Sequence, residues 1–211
     1  GYGLTEAAPV TACNPINGVS KEASIGLPIP GTSVEVISLG DPSVQVPQGE
    51  KGELCFYGPQ IMQGYYGKEE ETAAVLSSDG RLRTGDVGYL DEDGYIFIVD
   101  RIKDLIIAGG FNIYPRIVEE AIYLHPAVSE CIVAGIPDSY RGETVKAFIK
   151  LGEGESLTEE ALCEFLKDKL SPIEMPKQIE FRDTLPKTMI GKLDRKTIRN
   201  EEIEKHGVDA A

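Results

Sequence analysis

Four short stretches of the chain combine glycines with residue types that bind anions, metals or sugar hydroxyls. They are GYGLTE (1–6), RTGD (83–86), DRIKDLIIAGGFNIYPR (100–116) and PKTMIGKLDR (186–195). Glycine lets the backbone turn tightly or approach a ligand closely. Carboxylates, hydroxyls and the cations of lysine and arginine supply the polar contacts. The stretches are far apart in the sequence, so only the fold can bring them together.

Taken singly, each of these residues also has an ordinary structural interpretation. Asp86 follows a glycine, as turn residues often do, and Lys192 beside Gly191 is typical of an exposed surface lysine. Glu6 fits a surface acid or a magnesium ligand, and Tyr2 fits a core aromatic or a ring stacked on a base. The functional alternatives are a carboxylate that accepts hydrogen bonds from a vicinal diol at Asp86 and a point charge delivered to a phosphate or carboxylate by Lys192.

The stretch around Lys192 is not a P-loop. That motif needs G-x-x-x-x-G-K-[ST], and the chain has Pro186 and Leu193 at the two ends of the pattern. In the third stretch, a charged tetrad follows a strand, and Gly109 and Gly110 permit a tight turn. A plain strand–turn–strand with a solvated link explains that pattern as well as a functional loop does.

The elements that must position these residues differ between the two halves of the chain. In the first half, short strands at 32–38 and 51–58 and a hairpin over 88–100 predict a small β-barrel or curled sheet. In the second half, helices and strands alternate and predict a small α+β domain with a three-stranded sheet flanked by helices.

The predicted elements of the second half are a helix from Pro115 to about Leu124, strands at 131–136, 144–151 and 178–181, a helix opened by a Ser156-x-x-Glu159 capping box, and a charged helix over 195–204. We therefore predict an α+β protein with domains at 1–100 and 105–211, joined by a short charged link at 101–104.

Composition places the chain among globular proteins and narrows its partners. Its 211 residues are 41% hydrophobic and 27% charged, and no apolar run is long enough to span a bilayer. The net charge is −14, and residues 1–100 carry 5 Lys+Arg against 15 Asp+Glu, which argues against nucleic acid as a partner. Four scattered cysteines and two histidines favour neither a disulfide framework nor a zinc site. The start does not resemble a signal peptide, so we expect a cytoplasmic or membrane-peripheral location.

Taken together and in this order, the four stretches resemble the adenylate-forming superfamily, which includes acyl-CoA synthetases, luciferases and adenylation domains. The resemblance runs from Gly1 to about Arg199. The stretch GPQIMQGYYGKEEET (58–72) also resembles fatty-acyl and coumaroyl-CoA ligases. Such enzymes join a carboxylate to AMP with Mg-ATP, and they then pass the acyl group to a thiol.

The resemblance implies a nucleotide-binding role for five residues of the first half. Tyr2 would stack on or flank the adenine, and Thr5 would contact phosphate. Glu6 would hold Mg²⁺. Asp86 would bind the ribose hydroxyls, and Arg101 would add a ribose contact.

The resemblance also implies roles for residues on or near the second domain. Lys192 would be the catalytic lysine that bridges the carboxylate and the α-phosphate. Lys103 matches the position at which the family's lid domain rotates, so the link would be a hinge. Gly109 and Gly110 would line the pantetheine tunnel for CoA after that rotation.

The expected function is an ATP-dependent fatty-acyl-CoA ligase for medium or long chains, with fatty acid, ATP and CoA as substrates. In the family a phosphate-binding loop precedes GYGLTE, so we expect the chain to be a C-terminal fragment that is inactive alone and able to form a homodimer. One alternative is an acyl- or aryl-acid adenylating ligase that loads a carrier protein. A non-catalytic nucleotide-binding or interaction module is an alternative from another class.

Overall fold

A computed structural model describes residues 1–206, which divide into two compact units. The first unit is Gly1–Lys103, and the second begins at Asp104. The division therefore falls inside the predicted link, while the hinge role of that link stays a prediction. The end of the predicted lid domain, residues 207–211, lies outside the described residues.

The first unit is built on one open sheet of seven strands in the order β1-β2-β3-β7-β6-β5-β4. Every neighbouring pair of strands in this sheet is antiparallel. The strands are Tyr2–Gly3 (β1), Val10–Cys13 (β2), Ser24–Pro28 (β3), Ser33–Ile37 (β4), Gly52–Tyr57 (β5), Leu82–Leu90 (β6) and Ile96–Arg101 (β7), with a helix at Glu69–Val75 (α1). The strands themselves supply the buried hydrophobic residues of one core, which are Ala12, Val36, Leu54, Phe56 and Ile96.

Of the two forms predicted for the first half, the closed barrel is wrong, and the curled sheet stays a prediction. A barrel closes only when its two end strands pair, and within residues 1–206 the ends of this sheet, β1 and β4, do not pair. Strand β1 has only two residues, which leaves little backbone for a second partner. The predicted hairpin over 88–100 does form, because β6 and β7 pair directly around the DEDG turn.

In its described residues, 104–206, the second unit contains one five-stranded sheet and three α-helices. Its strands are Ile106–Ala108 (β8), Phe111–Ile113 (β9), Val128–Asp138 (β10), Gly142–Leu151 (β11) and Gln178–Phe181 (β12), and its helices are Pro115–Tyr123 (α2), Glu159–Leu166 (α3) and Arg195–His206 (α4). Strand β11 pairs with β10, β8 and β12, and only the β11–β12 pairing is parallel among the described pairs.

Strand β10 lies at an edge of this sheet, and its middle part, 131–136, is apolar because both faces of the sheet are covered there. Cys131 and Val133 point into a core that includes residues of α2 and α3. Ile132 and Ala134 point to the other face, where they pack with Ile198 of α4. This alternation explains why the sequence there reads as one continuous apolar run.

Two sequence predictions for the second unit are wrong in detail. The sheet has five strands and not three, because the short strands β8 and β9 join it as a hairpin. The capping box at Ser156 is also not used. Helix α3 begins two residues later than predicted, and its cap is Thr158, whose hydroxyl accepts a hydrogen bond from Ala161 N at 3.2 Å. No helix in the described part of the chain is long and apolar enough to cross a membrane.

Candidate active site

The RTGD stretch forms a bulge in β6. Glu53 pairs with Val87 and Cys55 pairs with Arg83, so the residues between them on β6 outnumber those on β5. Gly85 takes a φ of 72°, which is a left-handed conformation that glycine adopts without strain. A bulge of this kind changes the direction of the side chains that it carries, and here Asp86 is one of them.

Side-chain and backbone hydrogen bonds fix the shape of this bulge. The hydroxyl of Thr84 donates to Leu54 O at 2.7 Å and accepts from the Asp86 amide at 3.1 Å. The amide of Gly85 donates to the Glu53 carboxylate at 3.0 Å. The position of Asp86 is therefore set by the bulge and does not depend on a ligand.

Asp86 lies between two other residues predicted to bind nucleotide. Arg101 is its direct partner across the β6–β7 pair, and Arg101 Nε lies 3.4 Å from Asp86 Oδ1. The phenol of Tyr2 donates a hydrogen bond to Asp86 Oδ2. Burial first, and then this bond, raise the pKa of the Tyr2 phenol above its usual value, so Tyr2 remains a donor at neutral pH.

The backbone of GYGLTE packs closely against a neighbouring segment, and this packing places the side chains of Tyr2 and Glu6 in the same region of the first unit. A Cβ on Gly3 would lie 1.9 Å from Pro9 O, so no other residue fits there. The amide of Leu4 donates to the same oxygen at 2.7 Å. A single 3₁₀ turn at Thr5–Ala7 follows and carries Glu6.

These residues line one cleft of about 570 Å³ in the first unit. Its lining includes Tyr2, Glu6, Asp86, Arg101 and Lys103. Thr5 is exposed and is not part of this lining, so its phosphate contact stays a prediction. The cleft thus collects five of the predicted residues from three separate stretches of sequence.

The sequence analysis missed Glu53, which has a structural role in this cleft. Its side chain is only 4% exposed and receives two hydrogen bonds from Arg83, at 2.9 and 2.7 Å, besides the one from Gly85. Both Arg83 bonds go to Glu53 Oε2, and the Gly85 bond goes to Oε1, so each carboxylate oxygen has a partner. A glutamate inside the apolar strand GELCFY was a usable signal, because a buried carboxylate needs partners.

Lys192 lies on a small hairpin in the second unit. Lys187 and Leu193 form its bridge, and the Gly191 amide donates to Thr188 O at 2.8 Å to close the turn. Lys192 is exposed, and its ammonium has no hydrogen-bond or ion-pair partner among residues 1–206. A charge held this way on a defined turn is available to an anionic ligand.

Arg195 anchors this hairpin to the rest of the second unit. Its guanidinium contacts Asp104 at 3.1 Å and Glu119 at 2.8 and 2.9 Å, and its Nε donates to Val133 O at 2.8 Å. Beside it, the Asp194 carboxylate accepts from Thr197 N at 3.2 Å and from the Thr197 hydroxyl at 2.8 Å, which caps α4. These Thr197 bonds lower the pKa of Asp194.

Gly109 and Gly110 form the turn of the β8–β9 hairpin. Their φ angles are 59° and 84°, as in the two-residue turns that favour glycine. The Gly109 amide donates to Arg141 O at 2.8 Å, which ties the turn to the loop before β11. A Cβ would meet nothing within 4 Å at either glycine, so backbone conformation and not crowding requires glycine here.

Two protein-family models match this chain. The model of the AMP-binding enzyme family matches residues 1–66, and the model of the AMP-binding enzyme C-terminal domain matches residues 117–192. The two matches follow in order along the chain, one in each structural unit. The chain belongs to the AMP-binding enzyme family.

Two relatives are similar to almost the whole of this chain. The chain is 53% identical over 208 residues to a long-chain-fatty-acid–CoA ligase of Bacillus subtilis (strain 168), covering 99% of the chain and 37% of that relative. It is 43% identical over 201 residues to an enzyme of the same name from Escherichia coli O6:H1, covering 95% of the chain and 35% of the relative. The chain therefore spans little more than a third of the length of these relatives.

Solved structures of similar proteins also match most of this chain. The ATP-bound structure of MatB from Rhodopseudomonas palustris matches with a TM-score of 0.88 and 34% identity, over 95% of this chain and 39% of that one. An o-succinylbenzoate CoA synthetase from Bacillus subtilis, in complex with its acyl-adenylate intermediate, matches with a TM-score of 0.75 and 33% identity, over 86% and 35%. Both neighbours are similar in sequence as well as in fold.

Proposed function

We propose that this chain supplies part of the active site of an ATP-dependent acyl-CoA ligase, an acid–thiol ligase that acts on medium- or long-chain fatty acids. The enzyme would form an acyl-AMP and pass the acyl group to CoA. One observation carries the proposal: Tyr2, Glu6, Asp86 and Arg101 come from three distant stretches and meet in one cleft. The 53% identity to a long-chain-fatty-acid–CoA ligase supports the choice of substrate class.

In this proposal the cleft binds the nucleotide of ATP. Asp86 accepts hydrogen bonds from the ribose hydroxyls, since a carboxylate has acceptor sites beyond those that Tyr2 and Arg101 occupy. Arg101, whose side chain is 60% exposed, has donors left for the sugar. The Tyr2 ring flanks the adenine while its phenol keeps the Asp86 carboxylate oriented. Thr5 approaches phosphate from the neighbouring turn.

Glu6 fits a magnesium ion that arrives with ATP. Among residues 1–206 no cluster of three or more His, Cys, Asp or Glu could hold a resident metal. Mg²⁺ needs less than that, because it keeps several waters and binds through one or two carboxylates plus substrate phosphates. Glu6 Oε2 has no hydrogen-bond partner in the described part of the chain, so it is available as a ligand. Bound Mg²⁺ would neutralise charge on the phosphates.

Lys192 acts as the catalytic residue in the first half-reaction. Attack of a carboxylate on the α-phosphate of ATP brings two anions together, so positive charge placed between them stabilises the transition state. The exposed ammonium of Lys192 on its closed turn supplies such a charge. Pyrophosphate leaves, and the acyl-AMP remains bound in the cleft.

The second half-reaction uses CoA. The Gly109-Gly110 turn would line the pantetheine tunnel, because a turn without side chains lets a thin ligand approach the backbone. Lys103, at the junction of the two units, would be the hinge for the rearrangement between the half-reactions.

A carrier-protein-loading or aryl-acid ligase is the second candidate. Structural neighbours include an o-succinylbenzoate CoA synthetase and an anthranilate CoA ligase in complex with anthranoyl-AMP. Both act on aryl acids by their printed names, and this chain is 29% identical to the second of them. An acid panel separates an aryl-acid ligase from the fatty-acid ligase, and the thiol acceptor, CoA or a carrier protein, separates the carrier-loading alternative.

The deciding experiment is ATP–pyrophosphate exchange by the full-length gene product with acetate, octanoate, palmitate and coumarate. We expect exchange with octanoate or palmitate, and we expect Lys192→Ala to lose about 10²- to 10³-fold. Lys196→Ala is the matched control, since Lys196 is also an exposed lysine nearby. Exchange with coumarate alone would favour an aryl-acid ligase over a fatty-acid ligase. No exchange with any acid would remove the ligase proposal in favour of a non-catalytic module.

A further inference from the structure

The segment 58–66 holds Glu6 at two points, although none of its residues has a role so far. The Met62 amide donates to Glu6 O at 2.8 Å. The Tyr65 phenol donates to Glu6 Oε1 at 2.7 Å. Both the backbone and the side chain of Glu6 are therefore fixed from one segment, which is more than fifty residues away in the sequence.

Tyr65 is itself held in place by the start of α1. Its amide donates to the Thr72 hydroxyl at 2.9 Å, and that hydroxyl donates to Lys68 O at 2.7 Å. Gly64 takes a φ of 147°, and a Cβ there would lie 2.8 Å from Thr72 Cγ2. This close packing fixes the path of the backbone into Tyr65. The phenol is thus directed at Glu6 by structure that needs no ligand.

We propose that Tyr65 is a positioning residue that orients the Glu6 carboxylate for the magnesium ion of Mg-ATP, an inference that rests on the proposed function. Tyr65 donates to one carboxylate oxygen, Oε1, and leaves Oε2 for the metal. Carboxylates that bind metals are commonly oriented by a hydrogen bond of this kind, and such partners affect metal affinity strongly.

Two further observations support this role. Tyr65 lines the same cleft as Glu6, Asp86 and Arg101, so its phenol is part of the site surface and not of the core of the first unit. The hydrogen bond from its phenol to Glu6 is part-buried, so water competes with it less than at an open surface.

The test compares ATP affinity with and without Mg²⁺ in the full-length gene product. Isothermal titration calorimetry with ATP in excess Mg²⁺, and again with ATP in EDTA, gives the gain in affinity due to the metal. We expect Tyr65→Phe to reduce this gain about 10-fold, at the lower end of the effect of such partners. Its affinity for metal-free ATP should be unchanged.

The neighbouring tyrosine provides a matched control. Tyr66 is fully exposed, so Tyr66→Phe should leave both affinities as they are. In a Glu6→Gln background the metal-dependent gain should already be small, and adding Tyr65→Phe should reduce it no further. This non-additivity would show that Tyr65 acts through Glu6.

The outcomes separate the two proposals. If Mg²⁺ raises the affinity for ATP by the same factor in the wild type and in Tyr65→Phe, the positioning role is wrong and the proposed function stands. If Tyr65→Phe weakens ATP equally with and without the metal, Tyr65 supports the cleft only structurally, which also overturns the inference. If the wild-type protein binds no ATP in either buffer, both the nucleotide function and the role of Tyr65 are wrong.

Discussion

The Asp86 carboxylate shows how much of the candidate site depends on single hydrogen bonds. One of its oxygens accepts from Tyr2 and the other faces Arg101 at 3.4 Å, and its backbone is held by Thr84. A ligand hydroxyl would therefore meet a carboxylate already in a fixed orientation. Pre-organisation of this kind reduces the entropy that binding must overcome.

Removing the Tyr2 phenol should test this orientation. We expect Tyr2→Phe in the full-length gene product to weaken ATP binding about 10-fold, because a hydrogen bond to a charged group contributes about 1.5–3 kcal/mol. The ring remains, so its 6.0 Å contact with Phe56 is kept. Calorimetric titration with Mg-ATP measures the change.

The control for this prediction is Tyr89→Phe, since Tyr89 stacks on Phe97 in the same sheet with ring centroids 5.1 Å apart. That variant should bind ATP normally. Equal affinities for Tyr2→Phe and the wild type would mean that Asp86 needs no help from the phenol.

Burial of the Tyr2 phenol, together with this bond, should make the free energy of unfolding depend on pH in the alkaline range. The Tyr2 pKa is raised in the folded protein above its ordinary value of 10.0, so the unfolded chain loses this proton first as the pH rises. The stabilisation is therefore complete below pH 10 and is lost as the pH rises beyond it. The wild type should be more stable than Tyr2→Phe at pH 8, and the difference should shrink above pH 10 in urea unfolding.

At the scale of elements, short hairpins and caps carry the candidate functional residues. The Lys192 hairpin is closed by its own backbone bonds, and Arg195 ties it to Glu119. The Gly109-Gly110 turn is likewise the tip of the β8–β9 hairpin. Rigid small elements of this kind hold a charge or a backbone edge more accurately than a long loop does.

The start of α3 offers a test of the cap that the structure shows. Thr158→Ala should lower the free energy of unfolding by about 1 kcal/mol, because it leaves a helix N–H without its acceptor. The Ala161 amide, which the Thr158 hydroxyl accepts from at 3.2 Å, should also exchange with solvent faster. Urea unfolding and amide hydrogen exchange measure the two effects.

Ser156→Ala is the informative counterpart, because the sequence pattern favoured Ser156 as the cap. Substitutions at exposed positions without such a role usually change stability by less than about 0.5 kcal/mol. A larger loss from Ser156→Ala than from Thr158→Ala would contradict the observed helix start.

The sequence predicted elements whose partners are close along the chain. The β6–β7 hairpin is an example, since its alternating strands and DEDG turn lie within one short stretch. Strands β8 and β9 have three residues each, too few for a periodic pattern, and β8 gains its place in the sheet through Ala108 opposite Gly142. The openness of the first sheet likewise depends on pairings between distant strands.

The same distinction applies to the candidate site. The residues in the four stretches were found because the stretches, taken together and in order, resemble one family, and the structure brings five of these residues into one cleft. Glu53 and Tyr65 lie outside these four stretches. Their importance comes from partners more than twenty residues away, Arg83 for Glu53 and Glu6 for Tyr65.

At the scale of the whole molecule, the charge of −14 sets a requirement on any anionic ligand. The cleft of the first unit contains three acidic residues and three basic ones, namely Glu6, Glu53, Asp86, Arg83, Arg101 and Lys103. Arg83 is already paired with Glu53. A polyphosphate in this cleft would therefore need its own Mg²⁺ to offset the acidic surroundings.

The junction of the two units provides the last prediction. Lys103 ends the first unit and lies in the single 3₁₀ turn Ile102–Asp104. If the link is a hinge, its backbone must change φ and ψ between the half-reactions. Proline fixes φ and also restricts the residue before it. We therefore expect Lys103→Pro to slow thioester formation by about 10-fold or more, while ATP–pyrophosphate exchange changes much less.

Lys103→Ala separates the backbone from the side chain, because it removes the ammonium and leaves φ unrestricted. Both half-reactions should then stay close to those of the wild type. Preserved exchange in Lys103→Pro would show that the variant is folded and binds ATP, so that a slow transfer to CoA reports on the link itself. Equal loss in both half-reactions, or equal effects of the two substitutions, would place the conformational change elsewhere in the chain.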